Sequence, residues 1–170
     1  MNPKTLYSLI FWGLILQMFG FPMDGIDVVP AIGFAMIAYA AWMLGAYSKL
    51  FRITAIAAAL LAVLTLPTPY LPETVFWVAS LIVKCVLGWT LLSCVARDCQ
   101  VHGQIDLAAG ARFRRIVYVV FLAGVPLGLT MVPLGRVTSP VLLLLPFAAL
   151  LLPYVVLVWT VQSAKIRLFP

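Results

Sequence analysis

Six long apolar runs alternate with short polar or proline-rich breaks along the chain. The first covers about 5–21, with Lys4 ahead of it and Asp24 and Asp27 behind. The second covers about 28–47 and ends at Ser48, Lys49 and Arg52. The third, about 50–66, stops where Pro67, Pro69 and Pro72 crowd together before Glu73. The fourth takes about 74–96, and a polar segment, 97–115, separates it from the fifth at about 116–134. Pro140 opens the sixth, about 140–163, and Lys165 and Arg167 follow it. A helix needs about 20 apolar residues to cross the hydrocarbon core of a bilayer, and each run approaches that length. The pattern predicts an all-α integral membrane protein, a six-transmembrane-helix bundle forming one polytopic domain over residues 1–170.

Composition agrees with that pattern. The chain is 65% hydrophobic and 9% charged, too little charge to cover the surface of a soluble domain. The net charge of +6 does not make a nucleic-acid stripe, because the basic residues sit at the ends of apolar runs. That distribution sets topology instead. With the N-terminus inside, the cytoplasmic segments collect Lys4, Lys49, Arg52, Arg97, Arg112, Arg114, Arg115, Lys165 and Arg167. The outer connections then hold Arg136 as their one basic residue, beside Asp24, Asp27 and Glu73. Basic residues near helix ends resist translocation, so both termini are expected in the cytoplasm. Cys85, Cys94 and Cys99 are an odd set without paired spacing and give no disulfide framework.

Lipid supplies no hydrophobic drive between spans, so helix association needs close backbone approach. Ala55, Ala58, Ala59 and Ala62 fall on one side of the third run; Ala41 and Gly45 are four apart in the second. Gly124 and Gly128 flank Pro126 in the fifth, where a kink is expected.

Two stretches carry unusual chemistry. In the first, Asp27 stands where an N-cap of the second helix belongs, Pro30 falls in its first turn, and Gly25 permits a tight corner. A second reading makes Asp24, Asp27 and Glu73 an outward acidic mouth for a cation or a basic partner. The residues Gly25, Asp27, Pro30, Ile32, Gly33 and Phe34 resemble the first hairpin of small multi-pass bacterial membrane proteins, mostly of unassigned function. Those relatives carry a second aspartate directly after the proline, where this chain has Ala31. The resemblance covers the first two runs and brings no activity with it.

In the second, Lys84 lies near the middle of the fourth run, where a lysine costs about 2.5–3.5 kcal/mol on insertion scales. It is expected to face the bundle or a wet cavity, with Tyr39 or Tyr154 at similar depth as partner and Ser80 on the same helical face. One reading makes it a substrate site; the other bonds it to neighbouring carbonyls. A serine–lysine hydrolase also needs an oxyanion site and water, which a continuous membrane helix does not supply. Cys99 and His102 have no converging third group and read as ordinary residues of the polar segment. That segment is expected to form a short interfacial helix, with Val101, Ile105 and Leu107 towards lipid. Its Arg112, Arg114 and Arg115 would meet anionic headgroups or a cytoplasmic partner.

No catalytic residue, metal or cofactor is assigned. The expected function is that of a non-catalytic helper or regulatory subunit, working through helix packing with a larger membrane or cytoplasmic partner or a second copy. The alternative is a solute transporter or solute-binding subunit with its site near Lys84. The overall outline also resembles the substrate-binding subunits of energy-coupling vitamin importers. Membrane lipid is the one partner the composition demands; nucleic acid is not expected.

Overall fold

The structure, a computed structural model, describes residues 2–18, 28–65, 73–131 and 140–169, with side chains omitted at 73–74, 125–131 and 140–150. Among these residues the chain forms six α-helices and no strand: α1 (Pro3–Met18), α2 (Val28–Leu44), α3 (Lys49–Leu64), α4 (Glu73–Val101), α5 (Ile105–Met131) and α6 (Pro140–Leu168). Helix starts follow local chemistry. Asn2 Oδ1 accepts from the Lys4 N–H at 3.0 Å and Pro3 takes the first helical position, where its missing N–H costs nothing. Ser48 caps α3, its hydroxyl accepting from the Leu50 N–H at 3.3 Å. Pro140 opens α6 as the sequence predicts. Asp24, Gly25 and Asp27 lie outside the described residues, and Glu73 is the first residue of α4.

Each helix packs on its neighbour in sequence, and α6 closes the bundle by packing on both α1 and α4. The N-ends of α1, α3 and α5 therefore meet the C-ends of α2, α4 and α6 at one end. Within the described residues, Val75–Val101 of α4 is long and apolar enough to cross a membrane; Val28–Leu44 is apolar but shorter.

The polar segment 97–115 departs from the expected interfacial helix. Its first part continues α4 to Val101 and its last part belongs to α5, so two long helices form a hairpin. A Schellman turn makes the corner: the Gln104 N–H bonds the Cys99 carbonyl at 2.8 Å and the Gly103 N–H bonds that of Gln100 at 3.2 Å. Gly103 has φ 73°, a conformation glycine adopts without strain. Leu107 is buried, whereas Val101 and Ile105 are exposed.

Two close approaches set the helix spacing. Gly13 of α1 faces Gly33 of α2, and a Cβ on either would lie 2.6 Å from the other's carbonyl oxygen. Gly88 of α4 lies under the ring of buried Tyr118 of α5, and a Cβ there would fall within the ring's own volume. Close contact of this kind is what holds helices together when the surroundings are apolar. Of the alanines on α3, Ala55 and Ala58 are buried while Ala59 is exposed. A buried polar pair joins α3 to α4: Thr90 Oγ1 donates to the Val86 carbonyl at 2.8 Å and accepts from Thr54 Oγ1 at 3.0 Å.

Candidate functional site

Most described side-chain hydrogen bonds between helices lie toward the end of the bundle where α1 starts and α4 finishes. Tyr7 is fully buried on α1 and donates to Asp98 Oδ2 at 2.5 Å. Its ring meets Phe51 of α3 edge-on at 6.5 Å and Phe169, just past α6, at 5.6 Å. One residue earlier on α4, Arg97 donates to the Ser48 hydroxyl at 3.3 Å. Ser48 Oγ thus accepts from both the Leu50 N–H and the guanidinium, which its two lone pairs allow. His102 Nδ1 lies 2.8 Å from the Asp98 carbonyl. A carbonyl oxygen only accepts, so Nδ1 carries the proton and Nε2 of the neutral ring is an acceptor.

These groups surround a cavity of about 400 Å³. Tyr7, Ser48, Arg97, Asp98 and His102 supply its polar wall; Leu44, Tyr47, Val101 and Phe169 supply apolar surface. A recess of this size, mostly apolar with a few converging polar groups, is the usual form of a small-molecule site. No known protein family, curated protein or solved structure matches the chain.

The residues expected to carry function fall elsewhere. Lys84 is half-buried in mid-α4, and its backbone carbonyl accepts from the Tyr118 hydroxyl at 3.1 Å. Tyr154 is half-buried on α6 and packs against the core, while Tyr39 is exposed on α2 and lines a groove against α3. Ser80 is half-buried one turn before Lys84. Asp24 and Asp27 of the acidic corner lie outside the described residues.

The three arginines of α5 reach neighbouring helices. Arg112 donates to Gln100 Oε1 at 2.5 Å, Arg114 to Thr160 Oγ1 at 3.2 Å and Arg115 to Ser93 Oγ at 2.9 Å. Arg115 also stacks over Trp89, 3.9 Å from the ring centroid. Arg112 stays exposed and the other two are half-buried. Cys85, Cys94 and Cys99 are free thiols.

Sequence reasoning missed Asp98 and Tyr7. A signal was present: Asp98 is one of five acids in the chain and sits in the polar segment 97–115 beside Arg97, Arg112, Arg114 and Arg115. An acid there balances no topology requirement and asks for a partner. Tyr7, inside an apolar run, carries a hydroxyl that burial obliges to find one.

Proposed function

We propose that the chain is a six-span protein of a bacterial cytoplasmic membrane, both termini inside, acting as a non-catalytic helper or regulatory subunit. The outward faces support the membrane placement. All five tryptophans, Trp12, Trp42, Trp77, Trp89 and Trp159, are exposed, and every helix presents large apolar side chains outward. Water penalises such a surface and lipid does not. The basic residues that end the runs favour this orientation.

The observation that carries the packing role is a shallow groove of about 290 Å³ between α2 and α3. Ala38, Ala55 and Ala59 lie along it, with Tyr39, Trp42 and Ile56. Small residues between aromatic rims let another helix approach closely. Purifying the tagged full chain in mild detergent tests the role. The expected result is a stoichiometric companion, a larger protein or a second copy, released by Ala59→Leu. A lone monodisperse monomer would contradict it.

The half-burial of Lys84 in mid-α4 favours a second reading, a solute carrier. Lys84→Cys would then react with a polar thiol reagent in intact membranes. Complete protection counts against the carrier and for a lysine that only packs.

A further inference from the structure

The cavity at the end of the bundle is lined by one positive and one negative group, Arg97 and Asp98, each hydrogen-bonded to a different neutral partner. Asp98 Oδ2 accepts from the Tyr7 hydroxyl and Arg97 donates to the Ser48 hydroxyl, so each charge is positioned by a neutral partner. Among the described residues, the second carboxylate oxygen and the remaining guanidinium N–H groups make no hydrogen bond and are open to a third body. A simple anion entering here meets Asp98, and a simple cation meets Arg97. A ligand carrying both charges meets neither repulsion. His102 Nδ1 bonds the Asp98 carbonyl, and in the neutral imidazole Nε2 is a further acceptor. Leu44, Val101 and Phe169 give the same cavity an apolar side, and its volume of about 400 Å³ suits a small molecule.

The geometry points to a binding site for a zwitterion with a primary ammonium, an oxyanion and an apolar body. The oxyanion lies on Arg97, whose planar fork suits phosphate or carboxylate. The ammonium donates to Asp98 and His102 Nε2. The apolar body lies along Val101 and Phe169. This chemistry has two sources: the headgroup of a phosphatidylethanolamine from the cytoplasmic leaflet, or a free aromatic amino acid. The lipid source rests on the membrane reading above; the free source does not.

Native mass spectrometry of the purified full chain in neutral detergent separates them. The chain is titrated with short-chain phosphatidylethanolamine, phosphatidylcholine and phosphatidylglycerol, and separately with phenylalanine. Phosphatidylethanolamine bound in preference to the other two lipids supports the lipid source; saturable phenylalanine binding supports the free one. Quaternary choline has no N–H to donate and glycerol has no cation, so both bind more weakly.

Asp98→Asn keeps an acceptor for Tyr7 while removing the charge, and Arg97→Gln removes the oxyanion partner. Each should weaken the preferred ligand roughly tenfold or more, as loss of a charge-assisted bond does. His102→Ala, at an exposed position, leaves the fold in place and should narrow the preference for ammonium over choline. Equal affinity for the three lipids without phenylalanine binding, no binding of any probe, or folded variants that bind like the parent would overturn the assignment.

Discussion

Tyr7 and Asp98 stand 91 residues apart in the chain and share a 2.5 Å hydrogen bond that ties the start of α1 to the end of α4. Around the same ring, Phe51 of α3 and Phe169 beyond α6 pack at 6.5 and 5.6 Å. Four parts of the bundle therefore depend on one side chain. Tyr7→Phe keeps the ring contacts and removes the donor to a half-buried carboxylate. Hydrogen bonds to charged groups contribute about 1.5–3 kcal/mol, so unfolding in detergent should show a loss of that size. An unchanged transition would mean that solvent satisfies Asp98 equally well.

Gly88 and Gly110 make a matched pair for testing helix contact. The first lies under the Tyr118 ring, while the second has open space around the position of a Cβ. Gly88→Ala should force α4 and α5 apart, at a cost of about 1–3 kcal/mol. Gly110→Ala should be neutral or stabilising by up to about 1 kcal/mol, because alanine favours helix. Thermal unfolding of both variants checks the contrast, and equal effects would refute the α4–α5 packing described.

The Thr54–Thr90 bond, 3.0 Å long, allows a direct measure of polar coupling between α3 and α4. Both hydroxyls also have a carbonyl of their own helix within reach, Leu50 for Thr54 and Val86 for Thr90. Each can therefore lose the other without being stranded. A double-mutant cycle with Thr54→Val and Thr90→Val should give a coupling of about 0.6 kcal/mol, and under about 1.7. A larger value would place the pair among the main holds between these helices.

The number and order of the helices, and the starts of all but α5, were legible from apolar runs, prolines and caps, because those signals are local. Ser48 and Pro140 mark helix starts by their own chemistry. Gly103 offered the same kind of signal, and reading it as a helix stop would have extended α4 and α5 across the polar segment. What was not legible is contact at a distance. Gly33 stood out only within the resemblance of the first hairpin, yet its place against Gly13 requires α1 and α2 to be docked first. Asp98, Arg97 and His102 were three ordinary polar residues until three distant parts of the chain brought Tyr7, Ser48 and Phe169 around them. Lys84 drew attention because a lysine in an apolar run is costly; cost alone does not supply a partner.

The charged end of the bundle is expected to face the cytoplasm. Paired fusions after Pro170 test this: a fluorescent protein that matures only inside the cell and a phosphatase active only outside it. A bright, phosphatase-negative cell is the expected result. A dark cell with full phosphatase activity would place Lys165, Arg167 and the cavity on the far side of the membrane and contradict the account.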